Sequence, residues 1–264
     1  MLLKARAAFT GVKWRASQAL LRLARHWIRI ALTALAIYIS LPWLAPTLAK
    51  LGLNNPANFI YTLYSPFCHQ FAFRSPFLFG EQAFYPRGAA DSDYTPFELA
   101  ASESEAFLEQ YRYWSSIYGG RAPVPPATID GLAEFSVVQQ FAARHFIGDE
   151  TFGYKTSLCA RDLAIYTMIF VGGLIYRRFR WRIRPLPFWL YLVVGLGPVG
   201  LDGFSQLLSY PPFEFWPVRE TEPLFRIVTG GLFGLMSAWL GFPHFERSMQ
   251  DLIEALDPGY SGAV

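Results

Sequence analysis

Residues 30–49, IALTALAIYISLPWLAPTLA, carry no charged side chain over 20 positions. At about 1.5 Å of rise per residue that is roughly 30 Å of helix, the thickness of a bilayer's hydrocarbon core. A membrane-spanning helix is therefore expected here. Lys4, Arg6, Lys13, Arg15, Arg22, Arg25 and Arg29 precede it without a single acid. Basic flanks of this kind stay in the cytoplasm, so the amino terminus is expected inside. A cleaved leader shares a basic start, but its apolar run is only about 7–15 residues long.

The same reading extends along the chain. A second span is predicted from Cys159 to Tyr176, followed at once by Arg177, Arg178, Arg180, Arg182 and Arg184, which mark a cytoplasmic end. A third begins at Pro185, is uncharged through Leu201, meets Asp202 and runs out at Pro211 and Pro212, where fixed φ angles and missing donors end a helix. The fourth starts near Arg226 and is uncharged from Ile227 to Pro243; its glycines Gly230, Gly231 and Gly234 permit close helix contact. Only 16% of residues are charged, against about 25% in ordinary soluble domains, and 53% are hydrophobic, so composition agrees. The formal charge of +3 averages over segregated clusters, and no basic stripe outside the membrane flanks suggests nucleic acid.

The expected fold is all-α: a polytopic membrane protein with about four transmembrane helices and a small helical extracytoplasmic cap. Its parts are a basic cytoplasmic N-terminus (1–29), transmembrane helix 1 (30–50) and an interfacial aromatic segment (51–80). An extracytoplasmic helical insertion (81–158), transmembrane helices 2–4 (159–243) and a cytoplasmic tail (244–264) complete the chain. Four crossings return the carboxyl terminus to the cytoplasm of a cell-membrane protein. The outer segment from Glu81 to Glu150 holds eleven acids against four arginines, consistent with that side. Within it, Phe97–Tyr118 reads as one helix ended by Gly119 and Gly120, and 128–147 as a second ended by Gly148. Phe59–Phe79 is crowded with aromatics and broken by Pro66 and Pro76, so an interfacial or re-entrant segment is expected.

The chain has two cysteines, Cys68 and Cys159, and the topology brings both to the outer interface. With His69 and Asp162 they supply the ligand types of a tetrahedral zinc site, so Zn2+ is the candidate cofactor. A Cys68–Cys159 disulfide in an oxidising compartment is the competing reading. Asp202 lies near the outer end of the third span, where an ionisable group is costly and a partner is expected. Gln206, four residues on, shares its helix face, and Arg226 is the natural countercharge. Either a catalytic role for Asp202, Gln206 and Arg226 or a structural Asp202–Arg226 pair fits this spacing. Asp162 alone is also explained as a residue favouring a helix amino terminus. No phosphate-cradling glycine loop, GxSxG elbow or HExxH helix is present. His26, His145 and His244 are assigned no role.

The order Cys68-His69-Gln70, Arg74-Ser75, Gly80, then Cys159-Ala160-Arg161-Asp162, Ile165-Tyr166, Asp202-Gly203, Gln206 and Arg226 with Thr229-Gly230 resembles the prokaryotic membrane proteins grouped as domain of unknown function 2085. Members of that family often carry a second cysteine where Asp162 stands, which implies a Cys-His and Cys-x-x-Cys metal set. They usually join the first two motifs by a short hairpin, whereas Glu81–Tyr154 here reads as an insertion. The resemblance implies one shared site without naming a reaction. Two functions follow as expectations: a metal-binding membrane protein acting enzymatically on a lipid or lipid-linked substrate, or a non-catalytic subunit or assembly factor of a larger membrane complex. The lipid bilayer is the expected partner in both. A transporter is disfavoured by the lack of an internal repeat.

Overall fold

The computed structural model describes residues 2–257, with side chains for 17–180 and 182–257. The predicted basic N-terminal segment belongs in part to undescribed side chains, and the last seven residues of the predicted tail lie outside the described residues. Helix α1 spans Leu2–Lys50 and α2 spans Asn54–Tyr64. A small cap follows, with β1 (Phe77–Leu78), α3 (Phe97–Glu103), α4 (Glu105–Tyr118), α5 (Ile129–Ala133), α6 (Val137–His145), β2 (Gly148–Asp149) and β3 (Gly153–Lys155). Helices α7 (Ala160–Phe179), α8 (Phe188–Leu190), α9 (Gly197–Leu207) and α10 (Pro223–Leu256) complete the fold.

The all-α membrane class is shown. Among the described residues, Ser17–Lys50, Phe188–Leu207 and Pro223–Leu256 are long and apolar enough to cross a membrane. The 20-residue α7 carries Arg161, Asp162, Arg177 and Arg178 at its ends and is uncharged only between them. It lies against α10 over its length: an added Cβ at Gly230 would meet Arg161 O at 2.6 Å, one at Gly234 would meet Ile165 O at 2.2 Å, and Gly172 faces Ala238. These contacts advance together along both helices, so α7 and α10 run parallel. Phe188–Leu207 is the return between them. The predicted close contact thus falls on Gly230 and Gly234, whereas Gly231 faces Met168 at an ordinary 3.4 Å.

Proline shapes two of these helices. Pro42 has no N–H for the carbonyl of Tyr38, and the hydroxyl of Tyr64 donates to that oxygen instead, at 2.5 Å. A helix interruption thereby becomes the joint that fixes α2 to α1. In the first turn of α9, Pro198 denies a donor to Val194, and the preceding residues Tyr191–Leu196 widen into a π-helix in which the Gly197 N–H reaches Leu192 O.

In the cap, both predicted helices are divided. Ser104 accepts from Phe107 N at 3.1 Å and starts α4 anew after α3, and Ser136 does the same for Gln139 N ahead of α6. A serine side chain able to satisfy an orphan helix donor ends the preceding helix as readily as it begins the next. A three-stranded sheet of order β1-β3-β2 was not predicted from the sequence; its strands are too short to show a period of two. The cap core packs Phe73, Phe97, Phe107, Leu132, Phe146 and Phe152, all buried.

Gly234→Val should loosen α7 from α10, because its Cβ would fall on main-chain atoms that cannot swing aside. A loss of at least about 1–3 kcal/mol in unfolding free energy is expected. Gly241→Ala, with nothing within 4 Å of the new methyl, should leave the unfolding midpoint unchanged or raise it.

Candidate functional site

Cys68, Cys159 and Asp162 converge where α7 begins. One ligand atom from each lies within 4.8 Å of the others, and Cys159 Sγ donates to Asp162 Oδ2 at 3.2 Å. Cys159 is the residue immediately before α7 and Asp162 stands in its first turn, so the helix dipole favours negative charge on both. Cys68 Sγ accepts from the main-chain N–H groups of Gln70 at 3.4 Å and Cys159 at 3.3 Å. Both thiols are free, so the structure does not contain the Cys68–Cys159 disulfide read as an alternative. The proton shared with Cys159, together with burial, pushes the Cys68 thiol up from its ordinary value.

The loop that presents Cys68 is heavily braced. Gln70 adopts φ +56°, a left-handed conformation uncommon for a residue with a side chain. Its amide donates to Tyr61 O at 2.8 Å and Ser157 O at 2.9 Å, while its own carbonyl accepts from Lys155 Nζ at 2.6 Å. Lys155 is fully buried and also donates to Ala143 O and Arg144 O. With no carboxylate beside it, burial pulls the ammonium down to about 7. This turn directs Gln70 inward and His69 outward, where the imidazole is exposed and packs on Phe71 with centroids 5.4 Å apart. His69, expected as a ligand, therefore lies outside the thiol group.

A second cluster adjoins the first. Asp202 is buried in α9 and contacts Arg161, Arg219 at 3.1 Å and the Thr221 hydroxyl at 2.8 Å. Arg226 instead pairs with Glu220 at 2.5 Å and donates to Gln206 Oε1 at 3.1 Å. The Asp202–Arg226 pair expected from spacing is thus corrected. The loop after α9 folds back and supplies Glu220 as the partner of Arg226, which helix positions alone could not reveal. Gln206 does share this centre, donating to Glu220 while accepting from Arg226. Arg74, next to the Cys68 loop, reaches the other oxygen of Glu220 at 2.8 Å, and Tyr210 donates to it at 2.9 Å.

Two buried carboxylates therefore hold four guanidiniums drawn from the Cys68 loop, α7, the α9–α10 loop and α10. Arg87 extends the network into the cap, with Glu98 at 3.1 Å and Tyr210 at 2.8 Å. Burial alone would raise the Glu220 carboxyl, but Arg74 and Arg226 hold it down at about 2. Arg161, the residue between Cys159 and Asp162 that pairs with Asp202, links this cluster to the thiol pair. Arg74, Arg161, Lys155 and Glu220 were missed as site members. The signal for Glu220 was the charged run Arg219-Glu220-Thr221-Glu222 at the foot of an apolar helix.

Residues 140–240 match the family model described as a predicted membrane protein, DUF2085, so the resemblance read from the motifs is shown for that segment. It contains Cys159, Asp162, Asp202, Gln206, Glu220 and Arg226, whereas Cys68 and Arg74 precede it. An uncharacterised protein of Methanocaldococcus jannaschii is 32% identical over 96 residues, 36% of this chain and 56% of the relative. The chain spans about half the length of this curated relative. No solved structure matches.

Replacing Glu220 by Gln leaves Arg74 and Arg226 buried without their charge partner, and about 3–5 kcal/mol of stability should be lost in a detergent unfolding titration. The depressed folded value carries a pH consequence. Stability from Glu220 is present above its ordinary value of 4.5 and is lost as pH falls towards about 2, so that decline should be absent in the Gln variant.

Proposed function

We propose that this chain is a membrane protein that binds a zinc-class divalent ion through Cys68, Cys159 and Asp162, at the membrane face opposite the arginine-rich end of α7. The convergence of two thiols and a carboxylate within 4.8 Å is the observation that carries this reading. Sulfur and oxygen donors in that number suit zinc, and three protein ligands leave a fourth position open, as in catalytic zinc centres. Such an ion polarises a bound oxygen and lowers the pKa of bound water to about 7.

The residues around the ligands support a role in chemistry on a lipid-borne substrate. Main-chain N–H groups of Gln70 and Cys159 point at Cys68 Sγ and orient it toward Cys159, and Lys155 fixes the loop that supplies them. Asp202, closed between Arg161 and Arg219, is a positioning residue in this reading, and Arg226 supplies positive charge beside the ligands. The cap then faces away from the cytoplasm, because Arg177, Arg178, Arg180, Arg182 and Arg184 gather at the other end of α7.

Elemental analysis of detergent-purified protein, without added reductant, should find about one zinc per chain, lost in Cys68→Ser and in Cys159→Ser. Asp162→Cys should hold the ion more tightly against a competing chelator, since it adds a soft ligand. Native protein and Asp162→Cys both free of metal would overturn the reading.

A further inference from the structure

An apolar groove lies between α7 and α10 and reaches the residues next to Arg161 and Arg226. Its volume is about 670 Å3, and its walls come from Leu163, Ala164 and Met168 of α7 and Val228, Gly231 and Leu232 of α10. Phe77 and Leu78 of β1 and Trp43 of α1 complete the lining, and no charged side chain lines it. Along α10 it runs from Ile227 to Leu235, about 12 Å at the rise of a helix.

Three of its lining residues are near chain neighbours of the guanidiniums above. Ala160 precedes Arg161, Ile227 follows Arg226, and Pro76 lies two residues after Arg74. Four guanidiniums there meet only two carboxylates, an excess of positive charge at the edge of an apolar layer. The Nε–H groups of Arg74 and Arg161 are shut off from water and have no hydrogen-bond partner. Buried donors are almost always satisfied in folded proteins, so two orphans beside surplus positive charge call for an acceptor that carries negative charge.

We infer that the groove and the arginine network together form one binding site for a phosphate-bearing lipid, its headgroup on Arg74 and Arg161 and one hydrocarbon chain between α7 and α10. The inference rests on the reading of a lipid-borne substrate and supplies its chemical class: an anionic amphiphile whose phosphate lies beside Cys159. A zwitterionic lipid offers the same chain but no net charge, and a soluble phosphate offers the charge but no chain. Both features of the site are used only by a molecule that has both.

The test uses the full chain in detergent, stripped of metal by a chelator, so that lipid binding is read apart from metal content. Native mass spectrometry with dioleoyl phosphatidate should show retention at least tenfold above dioleoyl phosphatidylcholine. Arg161→Lys, which keeps the charge but loses the Nε donor, should cut that preference severalfold. Gly231→Leu, whose side chain would enter the groove with its Cβ only in ordinary contact with Met168, should cut retention of phosphatidate at least fivefold; Ala164→Leu is the second groove-filling variant, and circular dichroism verifies the fold of each. Equal retention of the two lipids, full retention by folded groove-filled variants, or binding of inorganic phosphate as tight as phosphatidate would each overturn the inference. Loss of zinc binding with lipid preference intact would instead contradict only the metal reading.

Discussion

Burying a guanidinium at the edge of an apolar layer costs several kcal/mol unless a carboxylate and further hydrogen bonds compensate it, and this constraint organises the half of the molecule that adjoins the cap. Asp202 and Glu220 meet it jointly. Neither carboxylate serves a partner on its own helix: Asp202 on α9 binds arginines from α7 and the following loop, and Glu220 in that loop binds arginines from α10 and the Cys68 loop. The network therefore fixes four chain segments relative to one another. Arg87, through Tyr210, ties the cap to the same centre.

What the network positions is the start of α7. Arg161, between Cys159 and Asp162 in sequence, is held by Asp202, and Gly230 lets α10 approach close enough to touch the Arg161 main chain. Arg74 fixes the other side through Glu220, six residues beyond Cys68. The thiol pair is thus aligned from both of its segments by ion pairs that touch neither sulfur. Tyr38, Tyr64 and Tyr166 pack ring against ring, tilted and edge-on, in the same apolar cluster as Cys68 and Cys159.

The sequence made the lipid-facing part of this fold legible, because charge-free runs and basic flanks are one-dimensional properties. It also brought Cys68, Cys159 and Asp162 to one level, since helix length and direction determine which ends share a membrane face. Pairing within that level was not legible. Asp202 and Arg226 are expected at matching depth from helix spacing, yet a loop without periodicity supplies Glu220 as Arg226's partner, and its route depends on tertiary contacts such as Arg219 N–H donating to Ser209 Oγ at 3.0 Å. His69 failed as an expected ligand for a similarly local reason: the left-handed turn at Gln70 sends neighbouring side chains to opposite sides. In the cap, Ser104 ends α3 and caps α4, and Ser136 caps α6 after α5 has ended at Ala133, and apolar spacing passes through both breaks.

The central claim is that the thiols and Asp162 act as one ligand set held in place by the arginine network. X-ray absorption at the zinc edge of the purified full-length chain tests it most directly. The expected spectrum is that of zinc bound by two sulfurs at about 2.3 Å and oxygen at about 2.0–2.2 Å. A zinc shell of nitrogen and oxygen alone would contradict it.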